Sequence, residues 1–350
     1  MEKLKNMNKT TRRNFLTYAF VIAAYIILQL WAGAGMKSSL RGMLVSICAY
    51  VVMAVSLNLT VGVLGELSLG HAGFMSVGAF TGVTAAVALQ NAVASAPLRL
   101  AIAMVVGAIF AAIIGFLIGI PVLRLNGDYL AIVTLAFGEI IKTIFNNLYV
   151  GLDAKGFHIS LLEDRTQLLE GGKLIIAGPM GIGGIQKIAS FTGGAILVLL
   201  CLVVIFNLVN SRAGRAIMAL RDNRIAAESV GISVTKYKMM AFVTSAAMAG
   251  AAGALFALNY STIVANKFDF NTSILVLVFV VLGGLGNMFG SIVAAAALTI
   301  LPEALRGSDK YRMLIYAVVL ILVMLGTNSP RVRGFLEKLL PRRGGKKEEV

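Results

Sequence analysis

MLVSICAYVVMAVSLNLTVGVLGELSLGHAGFMSVGAFTGVTAAVAL, residues 43–89, holds two long apolar runs separated by a short glycine-rich interval. A helix needs about 20 mainly apolar residues to cross the hydrocarbon core of a bilayer. Residues 43–63 meet that requirement, and residues 68–89 form a second run that opens on polar and small residues. The runs do not alternate apolar with polar and are too long for membrane strands, so a sheet reading fails. Gly62, Gly65, Gly70 and Gly73 punctuate the junction and surround Asn58, Glu66, Ser68 and His71. Glycines at that density predict an interrupted helix. In lipid, the N–H and C=O groups freed by an interruption are tolerated only where they line a cavity or are buried in protein.

The same pattern recurs along the chain. Residues 15–34, 98–120, 129–148, 191–209, 239–259, 272–287, 290–303 and 312–327 bring the number of candidate crossings to about ten. The fold class is an all-α integral membrane protein. Composition agrees: 58% of the 350 residues are hydrophobic, 13% are charged and the mean hydropathy is +0.87. A soluble domain carries about a quarter charged residues. The 37 glycines suit helices packed closely in lipid. The run 15–34 follows a basic tail, but it exceeds a signal-peptide core and no small-x-small cleavage site follows, so it reads as a retained first helix. Gly283, Gly284, Gly286 and Gly290 break the stretch 272–303, which fits either two crossings or one crossing and a re-entrant segment.

The net charge of +15 is concentrated in three places. Lys3, Lys5, Lys9, Arg12 and Arg13 lie in a tail, residues 1–14. Arg212, Arg215, Arg221, Arg224, Lys236 and Lys238 fill the interval 210–240. A second basic tail spans residues 331–350. Basic clusters in short segments beside apolar runs follow the positive-inside rule and argue against a nucleic-acid partner. Ten crossings put both tails and 210–240 in the cytoplasm and the nearly neutral 149–190 loop outside. The transmembrane domain is 15–330, and Lys37 and Arg41 are mild exceptions to the charge rule. Cys48 and Cys201 both lie in apolar runs, so no disulfide framework or metal cluster can be built from them. The chain carries no G-x-x-x-x-G-K-[ST], no H-E-x-x-H and no G-x-S-x-G. Gly284-Leu285-Gly286 lacks the strand context of a dinucleotide fingerprint.

Polar residues inside apolar runs are the candidates for a solute pathway, because burying them in a membrane is costly. Asn58, Glu66, Ser68, Gly70 and His71 form one group, and the helix end beside them could attract a carboxylate. Helix packing is the competing reading. Thr134 and Glu139 form a second group; Glu139 and Lys142, three residues apart, also fit a structural ion pair. The interval NSRAGRAIMALRDNRIAAESVGISVTKYKMM, 210–240, predicts a short surface helix and a turn at Gly231. Such a segment could dock into a groove on a partner, or simply fix topology. Residues 61–79 and 280–296 each place a glycine-rich break before a small-residue helix, a faint internal repeat.

Four stretches carry a resemblance: SLNLTVGVLGELSLGHAGFMSVGAF (56–80), LRLNGDYLAIVTLAFGEIIKTIFNN (123–147), the segment from Ser211 to Ala257, and LGGLGNMFGSIVAAAAL (282–298). Together they resemble the permeases of ATP-binding cassette importers for branched-chain amino acids, in particular the LivM family. The resemblance implies a fold similar to type II importer permeases in a bacterial inner membrane. It implies import of leucine, isoleucine and valine by alternating access. It also implies a LivH-like second permease, two cytoplasmic ATP-binding cassette subunits that use ATP and Mg, and an extracytoplasmic amino-acid-binding protein. This subunit would bind no cofactor and hydrolyse nothing itself. Related permeases for urea, amides or other amino acids, and a stand-alone secondary transporter or channel, are the alternatives. Such permeases carry a coupling motif E-A-A-x-x-x-G. Ala226, Ala227 and Gly231 fit it, with Arg221 and Asp222 just before. Ile225 stands where Glu is common, and Glu228 follows.

Overall fold

The computed structural model describes residues 9–33, 38–125, 127–153, 156–161 and 173–304, with Val318 and Ile321 beyond them. Among these residues the chain is a helical bundle. Its helices are α1 Lys9–Gly33, α2 Ser38–Asn58, α3 His71–Ala88, α4 Ala96–Val122, α5 Asp128–Asn146, α6 Phe191–Asn210, α7 Arg212–Asp222, α8 Arg224–Ser229, α9 Val234–Ala257, α10 Phe270–Gly283 and α11 Met288–Ala304. Eight helical stretches are long and apolar enough to cross a membrane, and Met288–Pro302 is a shorter apolar helix. The expected crossings at 43–63 and 68–89 are Leu40–Leu64 and His71–Ala88. The stretch 272–303 forms two helices parted at Gly284–Asn287. The candidate crossing 312–327, apart from Val318 and Ile321, and the tail 331–350 lie outside the described residues.

Contacts divide the chain into two compact units, Met1–Ala296 and Ala297–Val350, and the helical core lies in the first. At its centre is α9, packed against α2, α3 and α4. Its sequence MAGAAGALFA, 248–257, is almost free of bulk, and Ala249, Ala252, Ala254 and Leu255 are fully buried. Lipid tails are as apolar as leucine, so helices in a bilayer associate through close packing, which small residues permit. A Cβ on Gly78 of α3 would stand 1.9 Å from Gly250 O, and one on Gly250 would stand 2.4 Å from Gly107 O of α4. The backbones of α3, α4 and α9 therefore touch. Large apolar side chains point away from this core: Ile109, Ile113, Phe116 and Leu117 of α4 are each about half exposed. That outward face suits hydrocarbon.

The segment between α5 and α6 contains what the hydropathy pattern did not reveal, a three-stranded antiparallel sheet. Strands β1 Leu148–Asp153, β2 Gly156–Leu161 and β3 Lys173–Ala177 take the order β2-β1-β3. Beyond β3, Ile182 and Ile263 exchange backbone hydrogen bonds of 2.9 and 3.0 Å, and Ile185 N donates to Ser261 O. The segment is thus stitched to the chain that leaves α9. The sheet marks one end of the bundle, and α7 and α8 mark the other.

Two glycines separate packing from propensity. Gly250→Val is expected to lower stability by about 3 kcal/mol or more, because its side chain meets backbone with no room to yield. Gly42→Ala, whose Cβ would find its nearest neighbour at 3.7 Å, should stay within about 1 kcal/mol of wild type. Unfolding in mixed detergent–SDS micelles measures both.

Candidate functional site

The site grows from the end of α2. After Asn58 the helix widens into a π-helical turn, Leu59–Leu64, which Gly65 ends at φ +82. π-helical turns are rare and concentrate at functional positions. Asn58 is fully buried, and its amide works in both directions. Oδ1 accepts from Gly286 N at 2.8 Å, and Nδ2 donates to Ser291 Oγ at 2.8 Å. A Cβ on Gly62 would stand 2.2 Å from Gly286 N. The two glycine-rich breaks, with their similar sequences, therefore lie against each other.

From Gly65 the chain turns back along α2. His71 Nε2 lies 2.8 Å from Ser56 Oγ, whose own proton goes to Met53 O, so His71 donates. Ser56 stands eight residues before Leu64, about 12 Å of helix rise. Residues 65–70 thus run back into the bundle before α3 begins. Three contacts hold this re-entrant stretch of chain and the start of α3, and a fourth joins α9 to α2. Leu69 N donates to Thr134 Oγ1 at 3.1 Å, and Ala72 N donates to Ser273 Oγ at 3.1 Å. Gly70 sits so close to α5 that a Cβ would stand 2.0 Å from Thr134 O. Ser245 Oγ of α9 donates to Ser56 O at 2.6 Å. The hydroxyls of Ser68 and Thr60 are buried here with no protein partner.

The exposed segment α7–α8 is built by two side-chain caps. Ser211 Oγ accepts from Gly214 N, and Asn223 Oδ1 accepts from Ala226 N at 3.0 Å, so Asn223 ends one helix and starts the next. Gly231 turns the chain at φ +84 after α8, a conformation glycine adopts without strain. Leu220, Ala227 and Val234 form a small core beneath, with Ala219, Ile232 and Tyr237 against it. Ala226 and Glu228 are exposed, as are Ile225 and Val230, which are 80% and 74% accessible. Ile225 lies in α8 and Val230 just past its end.

This segment is tied directly to the break. Arg221 Nη1 donates to Gly62 O at 3.1 Å, its stem covers Gly65, and Asp222 Oδ1 accepts from its Nε and Nη2. Lys238, in the first turns of α9, is ion-paired with Glu66; the two side chains are 4% and 14% exposed. The structure therefore brings Arg221, with Asp222 beside it, to the break at Gly62 and Gly65, while Gly70, His71 and Thr134 meet deeper in the bundle. It does not bring Glu139 there. Glu139 pairs with Lys142 along α5 at 42% exposure, the structural ion pair that their spacing allowed.

Three cavities among the described residues lie around the bundle. None of these three is lined by the pathway candidates, although Val63 and Gly286 line the first. In this conformation the candidates form a closed polar seam. Residues the sequence reading did not single out complete it: Ser56, Ser245, Ser273 and Ser291, and Lys238 as the partner of Glu66. Small hydroxyls are common in membrane helices, and nothing in their local sequence marks these four.

Glycine-broken helices in a many-spanned bundle, tied to an exposed helical segment, fit a polytopic membrane permease. Residues 39–324 match the family described as branched-chain amino acid transport system / permease component, and the chain belongs to that family. It is 37% identical over 286 residues to the high-affinity branched-chain amino acid transport system permease protein LivM of Salmonella typhimurium, and equally so to that of Escherichia coli. Each match covers 79% of this chain and 66% of the relative, so the chain spans just under two thirds of their length. A probable branched-chain amino acid transport permease LivM of Methanocaldococcus jannaschii is 26% identical, over 69% of this chain and 74% of that one. No solved structure matches the chain.

The Lys238–Glu66 pair separates charge pairing from packing. Lys238→Met alone leaves Glu66 unpaired and is expected to cost about 3 kcal/mol. The double variant Glu66→Gln, Lys238→Met should recover more than half of that. A double-mutant cycle on thermal stability in detergent checks both.

Proposed function

We propose that the chain is one permease subunit of an ATP-binding cassette importer for branched-chain amino acids, working by alternating access in a bacterial inner membrane. The observation that carries this reading is the hydrogen bond from Arg221 on the exposed α7–α8 segment to Gly62 O in the break. A transporter that works alone needs no exposed helical segment wired into its pathway. A subunit driven by another protein does.

In this reading α7–α8 faces the cytoplasm with both termini. Ala226, Glu228, Ile225 and Val230 present the surface that an ATP-binding cassette subunit grips. Two such subunits bind ATP and Mg, and a LivH-like permease completes the pore. A loaded amino-acid-binding protein docks outside, over the sheet and the rest of 149–190. When the ATPase subunits close, α7 moves. Arg221 and the Lys238–Glu66 pair carry that motion to residues 62–70, and the closed seam opens. A zwitterion leaving water must have its carboxylate and ammonium met by dipoles. The broken helices bring backbone groups and the buried hydroxyls of Ser68 and Thr60 to that place. Branched-chain side chains suit the apolar surroundings. The likeness to the LivM permeases supports this substrate class.

Reconstitution in proteoliposomes with the partner subunits tests the reading. Gly231→Arg should abolish both leucine uptake and co-purification of the ATPase subunits. Arg221→Ala should keep the complex and its ATP turnover while leucine uptake falls at least tenfold. Retained co-purification in Gly231→Arg would remove the docking role. Full uptake in Arg221→Ala would remove the link between segment and break.

A further inference from the structure

The second cavity lies at the sheet end of the bundle, well away from the seam at Asn58. The end of α3, the start of α4, strand β3 and the loop 182–188 surround it. Its wall is apolar at Val87, Ile175 and Leu258 and polar at Gln90, Arg99 and Gln186. No acidic residue among the described residues lines it.

Arg99 is out of place by every ordinary criterion. It is 6% exposed. Its guanidinium donates to one neutral acceptor, Gln186 Oε1 at 2.7 Å, and no carboxylate among the described residues pairs with it. It also sits in the first turn of α4, where Arg99 N bonds to Ser95 O. A cation at a helix N-terminus opposes the helix dipole. A buried, unpaired charge costs several kcal/mol. An arginine has five N–H donors in a planar fork that matches a carboxylate in a bidentate pair. An anion entering the cavity would offset both costs.

We propose that this cavity is a receiving site for a free amino acid, with Arg99 taking the α-carboxylate and Val87, Ile175 and Leu258 taking an aliphatic side chain. Gln90, on the same wall, would accept from the ammonium. The concave, apolar wall favours a small solute over an acidic side chain of a docked protein. The site rests on the importer reading above, and it specifies where the solute is first held at the sheet end. Backbone bonds from Ile182 and Ile185 to Ile263 and Ser261 fasten its loop to the chain leaving α9.

The test uses the full chain assembled with its partner subunits in nanodiscs. Thermal midpoints are read against L-leucine, 4-methylpentanoate, which lacks the ammonium, and leucinol, which lacks the carboxylate. Leucine and 4-methylpentanoate should raise the wild-type midpoint, and leucinol should not. Arg99→Gln should melt at or above wild type without solute, since a buried charge is gone. It should need at least tenfold more leucine for the same shift, with Arg99→Lys between. The KM for leucine uptake should rise at least tenfold in Arg99→Gln. Equal protection by leucinol, or an unchanged leucine response in Arg99→Gln, overturns the site. So does an Arg99→Gln midpoint below wild type, which would show that a carboxylate of the chain already holds Arg99. Loss of binding-protein affinity with the leucine response intact overturns it too, in favour of a protein contact. Failure of the wild type to take up leucine would instead defeat the importer reading.

Discussion

A helix that breaks inside a lipid-embedded bundle frees backbone groups that water cannot reach, and each costs several kcal/mol if left unpaired. The rest of the structure depends on how Asn58 meets this constraint. Its amide carries an acceptor and donors on one rigid plane. It accepts from the backbone N–H of Gly286 and donates to Ser291 Oγ. A carboxylate, which only accepts, could not serve both breaks in that way. The break after α2 and the break after α10 thereby become one structure, and they move together or not at all. Glycine is needed at 62 for the same reason, because any Cβ there would occupy the space of Gly286 N.

Coupling follows from this joint. Arg221 reaches the carbonyl of Gly62, one turn beyond Asn58, and Glu66 three residues before Leu69 is held by Lys238. A displacement of α7 would act on the break through the Arg221 hydrogen bond, while the ion pair ties the break to α9. Both contacts end on the short piece 62–66, while the next residues, 69–72, are anchored to α5 and α10 through Thr134 and Ser273. A force applied at one end of residues 62–72 and resisted at the other strains the segment between them, Leu67 and Ser68. Ser68 carries a buried hydroxyl with no protein partner, the sort of group that a solute or a rearranged backbone could satisfy.

How much of this is legible in the sequence depends on range. The spanning helices are composition over 20 residues, and the break at 65–70 is announced by Gly62, Gly65, Gly70 and Gly73. The caps of α7 and α8 and the turn at Gly231 are local as well, and so is the Glu139–Lys142 pair. The bonds that make the site are not local: Asn58 and Ser291 are 233 residues apart, and Glu66 and Lys238 are 172 apart. Lys238 reads as one more basic residue in a topology-fixing cluster, because nothing near it says that its charge turns inward. The sheet escapes for a different reason. Its strands have five or six residues in a loop of mixed charge, too short for a periodic signal. Arg99 sits at the mouth of an apolar run, where arginines ordinarily snorkel to the interface, and only its burial sets it apart.

The central helix α9 gives these distant features a common frame. Near its start Lys238 holds Glu66, midway Ser245 bonds Ser56, and past its end residues 258–263 carry the loop that walls the Arg99 cavity. Between these points its alanines and glycines lie backbone to backbone against α3 and α4. Packing of that kind transmits a rigid shift well and tolerates a bend poorly, since interiors at such density do not deform continuously. A solute seated at one end and a docked subunit at the other would therefore act on the same rigid body. The small residues that let the bundle hold together in lipid are then also what would make its two ends answer to each other.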